Sequence, residues 1–236
     1  MTAKAANPEL DAVIQKATVA GIATSARWRS LLHFRQGRNQ SEILPGPFFL
    51  SVDGAQNAQA ELLATIAAAY APIGPDPNTH AMCRYPARMR FLQQQLDWIA
   101  PVNPACNDLQ RWRRNGNIDG VSLVFASGDL GNPASFFGHI LLKINEGGDG
   151  ALSATDLDDR SVNFGALVPD NENAFVYMVR GLIGGYPSSY SSTTYFEQSH
   201  DYGETQLRDL WEYRLNLDPD EVQFLVDHTW ELQEAR

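Results

Sequence analysis

Gly120-Val121-Ser122-Leu123-Val124-Phe125-Ala126 is where the chain changes character. A continuous apolar run with β-branched residues, entered from a glycine, reads as a buried β-strand. Phe137 to Ile144 and Ser161 to Leu167 have the same short apolar form, the latter after a polar, Asp-rich turn region. Leu210 to Leu217 alternates, which predicts a half-buried strand with Trp211, Tyr213, Leu215 and Leu217 on its buried face. Between them, Ala174 to Ile183 reads as a helix, and Gly184-Gly185-Tyr186-Pro187 with the Ser/Tyr/Thr segment after it as an extended loop.

Upstream of Gly120 the period is helical. Asn7-Pro8-Glu9 supplies an N-cap, a proline at the first helical position and an acid in the first turn, and Leu10, Val13, Ile14 and Ala17 follow at helical spacing. Trp28, Leu31 and Leu32 continue an apolar face until Pro45-Gly46-Pro47 breaks it. Phe48-Phe49-Leu50 is then a short buried segment before the Asp53-Gly54 turn. The Ala-rich stretch 56–71 predicts a second helix. Helices also follow over 86–99, with Met89, Leu92, Leu96 and Ile99 as the buried stripe, and over Cys106 to Arg114. Ala71 to Thr79 holds three prolines and reads as a linker, dividing a helical module at 1–75 from a main domain at 76–236. Asp218-Pro219-Asp220-Glu221 is a capping box opening a last helix, striped by Val222, Leu225, Val226 and Trp230, which runs to Arg236 and predicts that the natural chain continues. The fold class is α+β.

Composition narrows the function classes. A net charge of −10 disfavours a phosphate-backbone ligand, and no nucleic-acid role is expected. Arg111, Arg113 and Arg114 beside Trp112 are a short basic cluster without extension, read as a solvated helix face. No run approaches the ~18 apolar residues of a membrane span. The start lacks the basic and apolar regions of a signal peptide. His33, His80, His139, His200 and His228 are scattered singly, and none stands at metal-ligand spacing from a cysteine, so neither metal nor cofactor is expected.

The residues that point to chemistry begin with Gly131-Asn132-Pro133-Ala134-Ser135-Phe136-Phe137-Gly138-His139. A loop running into an apolar strand leaves a histidine at the strand mouth, rigidly held yet reachable, as a general base needs. The competing reading is an imidazole satisfied by a backbone carbonyl. Ser135 lacks a nucleophile elbow, so its expected role is hydrogen bonding in the loop or donation to a developing oxyanion. Asn163 is a polar residue in an apolar strand; it either orients His139 or bonds the backbone. Cys83 and Cys106 are the only thiols; they form one disulfide, or else Cys83, beside Arg84 and ahead of a helix, is a reactive thiolate. Arg84, Arg88 and Arg90 are candidates for holding a carboxylate or phosphate, with structural ion pairs as the default. The same default has Arg208 pairing with acids such as Asp209 and Glu212. Gly185 and Tyr186, with Tyr190 and Tyr195, suggest a lid or a lipid- or peptide-facing loop.

Six segments in order carry a resemblance: Trp28–Leu32 (WRSLL), Pro47–Gly54 (PFFLSVDG), Cys83–Arg88 (CRYPAR), Asn132–His139 (NPASFFGH), Gly181–Tyr186 (GLIGGY) and Arg208–Tyr213 (RDLWEY). Together they resemble the bacterial family named for the periplasmic domain of Lnb, a lipoprotein N-acyltransferase. The resemblance implies an exported, membrane-associated protein whose active relatives move an acyl chain from a phospholipid to a lipoprotein amino terminus. It also implies a circularly permuted, papain-like mixed sheet domain. On that pattern His139 matches the strand histidine and Asn163 the orienting residue, while the family's nucleophilic Asn-Cys segment would lie past Arg236. The implied partners are a phospholipid or a lipoprotein, with membrane association through parts outside this chain, and the chain is expected to be inert alone. Two rivals stand beside this: a non-catalytic envelope binding module, and a self-contained enzyme using Cys83 or Cys106.

Overall fold

The computed structural model describes residues 7–128, 138–146, 158–169, 172–183 and 185–235. They fall into two compact units, Met1–Trp112 with Asp227–Ala235, and Arg113–Val226.

The first unit is helical. Helix α1 (Pro8–Val19) is capped as its sequence predicts, with Asn7 Oδ1 accepting from the amides of Glu9 and Leu10, and it buries Val13 and Ala17. Helix α2 (Ala26–Leu31) buries Trp28, whose indole N–H donates to the Ala58 carbonyl at 2.9 Å. Helix α3 (Ala58–Ala69) buries Leu62 and Ile66. The proline-rich stretch 71–79 lies inside this unit and closes with a 3-10 turn at Pro77–Thr79. After the short α4 (Ala81–Arg84), helix α5 (Pro86–Leu96) buries Met89, Leu92 and Leu96 and ends where Asp97 turns left-handed (φ +43°). The expected helix over 86–99 is therefore too long. Ile99 falls outside it and is 86% exposed, because the left-handed cap redirects the chain before the next helical repeat is reached. Cys83 and Cys106, which precedes α6 (Asn107–Trp112), are joined in a disulfide.

The centre of this unit is a buried charge. Arg88 is fully enclosed; its guanidinium donates to Glu61 at 2.8 Å and to the Phe48 carbonyl at 2.9 Å, and lies 3.2 Å from Glu231. Glu61 also accepts from the amides of Leu50 and Ser51, and Glu231 from the amide of Arg88 itself. One side chain thus holds α3, α5, the Phe48–Ser51 segment and the end of α9 (Pro219–Glu231) together. Beside it, two of the scattered histidines meet: His33 Nε2 and His228 Nε2 are 3.1 Å apart, with ring centres 5.2 Å apart and planes within 17°. Nearly parallel rings whose centres are separated by almost the full N···N distance plus two ring radii meet edge to edge. This is a head-on N–H···N hydrogen bond, not a face-to-face stack. His33 is left-handed (φ +54°), a conformation unusual for a residue with a side chain. Burial, reinforced by His228, lowers its pKa from 6.5 to about 4.

The second unit is a five-stranded sheet in the order β4-β3-β2-β1-β5, and every pairing in it is antiparallel, where the resemblance implies a mixed sheet. Its strands are β1 (Ile118–Ala126), β2 (His139–Glu146), β3 (Arg160–Ala166), β4 (Ser188–Thr194) and β5 (Leu210–Arg214). Helix α7 (Ala174–Ile183) forms as expected. The strands differ from expectation in three places. The segment after Pro187 is not an open loop but the edge strand β4, its Ser/Thr/Tyr run pairing residue for residue with β3 without needing an apolar face. In β5, Trp211 and Tyr213 are 56% and 57% exposed; alternation defines two faces but not which one is covered, and here Glu212 turns inward to Lys143. Nor is β1 continuously buried: Val121, Val124 and Ala126 are covered while Leu123 is exposed.

Two outcomes follow for stability. A group held below its unfolded pKa supports the fold when neutral, so the His33 contribution is complete above about pH 6.5 and is lost as pH falls toward about 4. The wild type should lose up to about 3 kcal/mol more than His33→Gln over that window, read from urea titrations at each pH; parallel curves would refute it. Arg88→Met strands two buried carboxylates and should cost about 3–5 kcal/mol by the same titration at neutral pH. A loss below about 1 kcal/mol would show that the guanidinium does not organise the unit.

Candidate active site

His139 opens β2, the central strand of the second unit. The residue before it must be glycine. Gly138 has φ +84°, and a Cβ there would lie 2.6 Å from the Phe125 ring and 2.7 Å from the Ala126 carbonyl oxygen. That close passage sets His139 opposite Ala126 in the β1–β2 register. On the other side, β2 and β3 pair Leu142 with Val162, which carried one residue on places Asn163 opposite Leu141. Opposed residues share a face and the side-chain period is two, so His139 and Asn163 are diagonal neighbours on the same face.

The two side chains are joined: His139 Nε2 and Asn163 Oδ1 form a short hydrogen bond. An amide oxygen only accepts, so Nε2 carries a proton and, in the neutral imidazole, the lone pair is on Nδ1. The amide therefore selects the tautomer and leaves one ring nitrogen free to act as a base. Among the described residues, Tyr202 stands beside His139, and Arg208 beside Tyr202. The Tyr202 ring centre is 6.0 Å from that of His139, and the Arg208 guanidinium lies 4.7 Å from the Tyr202 ring centre. Burial pushes the Tyr202 phenol above its usual pKa although Arg208 pulls it the other way, so it is protonated. Arg208 does not take the acidic partners expected for it. It donates to the carbonyls of Ser127 and Ala126 at 2.6 and 3.1 Å, while Glu212 goes to Lys143. Tyr202 left no mark in the sequence reading, since a lone tyrosine in a polar segment has no periodic context.

Further along the same face lies a polar network. Lys143 is buried, 3.3 Å from Asp159 and 3.2 Å from Glu212, with the Tyr195 ring centre 4.7 Å away. Burial alone would lower its pKa, but the two carboxylates more than offset that and raise it. Asn145 donates to Ser122 Oγ at 2.8 Å. The charges of Lys143, Asp159 and Glu212 are matched to one another and give the sheet a charged floor.

The remaining candidates stand elsewhere. Ser135 lies outside the described residues. Cys83 and Cys106 are bonded to each other, and no free thiol remains in the chain. Arg84 donates to the Pro47 carbonyl at 3.3 Å. Arg88 is spent on the protein's own carboxylates and has no exposed surface to offer a ligand. Gly185 donates to the Arg180 carbonyl, and Tyr186 stands beside Tyr177 and Arg180. Among the described residues, neither bonds nor rings join Gly185 or Tyr186 to His139. Among the same residues no cluster of three or more His, Cys, Asp or Glu is placed to hold a metal ion.

The tight passage before His139 is testable. Gly138→Ala should destabilise the protein by about 1–3 kcal/mol in denaturant, because the clash is with backbone as well as ring. Gly165→Ala, whose Cβ would meet open space, should stay within about 0.5 kcal/mol. Equal effects would mean that the approach of Gly138 to β1 is not required.

A family model described as the Lnb N-terminal periplasmic domain matches residues 108–236, and a domain of unknown function (DUF7843) matches residues 20–95. No curated protein and no solved structure matches the chain. The disulfide accords with an oxidising compartment. Among the described residues no helix is long and apolar enough to cross a membrane. With more than half of its length matched, the chain belongs to the Lnb N-terminal periplasmic domain family and is a protein of the periplasm and cell envelope.

Proposed function

We propose that the second unit is the base-bearing part of a thiol-dependent acyltransferase or thiol hydrolase that acts on a phospholipid or lipoprotein. The observation that carries this is the His139–Asn163 hydrogen bond through Nε2, which leaves Nδ1 as the working nitrogen. Neither cysteine of the chain is the nucleophile, since each is bonded to the other. The thiol comes from outside these 236 residues, membrane association likewise, and the chain alone is inert.

In the forward half-reaction Nδ1 takes the thiol proton, and the thiolate attacks the acyl ester carbonyl. Collapse of the tetrahedral intermediate breaks the ester C–O bond, and Nδ1–H returns the proton to the leaving alkoxide. A thioester remains. In the second half-reaction an amine, or water, attacks that thioester while Nδ1 takes its proton and then passes it to the departing thiolate. Asn163 keeps Nε2–H occupied throughout, so the imidazolium formed in each half is stabilised in place.

A second reading, a non-catalytic envelope binding module, draws on helix α7, whose Phe175, Met178 and Ile183 are exposed. Substitution in the intact protein, assayed by mass spectrometry of acylated acceptor peptide, separates the two. His139→Gln should lower acyl transfer at least about 100-fold. Asn163→Ala should lower it about 10–100-fold with little change in substrate binding. Turnover unaffected by His139→Gln would sink the catalytic reading and leave the binding module.

A further inference from the structure

The connection from α8 (Tyr195–Ser199) to β5 carries backbone strain. His200–Thr205 winds as a π-helical turn, with the Gln206 amide donating to Asp201 and the Arg208 amide reaching back to the Tyr202 carbonyl at 2.9 Å. π turns inside helical segments recur at functional sites. Leu207 is left-handed (φ +52°), costly for a residue with a Cβ, and its side chain is 86% exposed, so packing of that side chain does not offset the strain. The compensating contacts belong to the next residue. Arg208 is buried and binds the carbonyls of Ala126 and Ser127 at the end of β1, as well as Gln206 Oε1 at 3.1 Å. Ala126 is the register partner of His139. The strained turn thus fastens a guanidinium to the strand that borders the imidazole, and the Tyr202 ring neighbours both, 4.7 Å from the guanidinium and 6.0 Å from the imidazole between ring centres.

We infer that Tyr202, clamped by Arg208, is a positioning residue that covers the His139–Asn163 hydrogen bond. This rests on reading His139 as the base. The ring excludes water from Nε2–H, where a hydrogen bond in a drier environment is stronger, and it opposes rotation of the imidazole about Cβ–Cγ. Nδ1 is thereby kept directed at the reacting group. Tyr202 exchanges no proton with substrate in this role; the aromatic ring is what acts, and the hydroxyl is dispensable.

The test is proton NMR of the chain labelled with 15N-histidine, assigning the His139 imidazole N–H by its disappearance in His139→Gln. Wild type should show this proton protected from solvent exchange, and Asn163→Ala should lose it. Tyr202→Phe should retain the protection, whereas Tyr202→Leu should exchange on the order of tenfold faster. Arg208→Gln, which frees the ring, should give the same acceleration and serves where Tyr202→Leu does not fold. Unchanged protection in both Tyr202→Leu and Arg208→Gln overturns the positioning role while leaving the His139–Asn163 bond intact. Loss of protection in Tyr202→Phe also overturns it, because the hydroxyl would then be the active group. No protected proton in wild type, or one that survives Asn163→Ala, removes the His139–Asn163 reading and this inference with it.

Discussion

Everything proposed for the second unit depends on strand register. His139 and Asn163 are 24 positions apart in sequence, and nothing local brings them together. Antiparallel pairing does so through parity: a slip of one residue between β2 and β3 would turn the amide to the opposite face and leave the imidazole without its acceptor. The register is held on both sides. Gly138 allows the chain to pass against Ala126, and the pairing of β3 with β4 runs unbroken from Arg160 to Ala166. The Lys143–Asp159–Glu212 network adds a constraint of its own, since those charges are matched only when Lys143 points to that same face. A mispaired strand would bury an ammonium without a carboxylate, which costs far more than any single apolar contact returns.

The first unit solves a different problem by a similar device. Its core is assembled from short helices, which bury modest apolar area each, and it places a fully enclosed arginine among them. A guanidinium has a fixed fork of donors, so Glu61, Glu231 and the Phe48 carbonyl must occupy set positions around it. Geometry is thereby specified where helix packing alone would leave alternatives. Both units rely on buried, directional polar contacts for uniqueness, with apolar burial supplying the bulk of the driving force.

The legible part of this chain was what obeys a period or a local rule. The helix starting at Pro8 and the capping box at Asp218, where Asp218 and Glu221 exchange hydrogen bonds, are decided by neighbouring residues and stood out in the sequence. His139 and Asn163 were recognisable as candidates, because a polar residue inside an apolar strand needs an explanation. What sequence could not carry is which face of a strand is covered, as Trp211 shows, and where a residue with no periodic context ends up, as with Tyr202. The meeting of His33 with His228 belongs to the same class: two isolated histidines 195 positions apart become partners only through tertiary packing. Arg88 was visible as an arginine but not as a buried one, since its enclosure depends on carboxylates from α3 and from the far end of the chain.

That last dependence bears on the order in which the protein can mature. A polypeptide is made and exported from its amino end, so Arg88 and Glu61 emerge long before Glu231. Until the segment from Asp227 to Ala235 arrives, the first unit lacks one of the two carboxylates around its central cation. It also lacks the imidazole opposite His33 and the Trp230 indole that donates to the Cys83 carbonyl. Helices α1 to α6 and the disulfide are encoded within the first 112 residues, yet the charge balance of the unit is completed by Glu231. The intervening strands are therefore synthesised while the first unit is still incomplete, and the step that seals it is a contact of very high sequence separation.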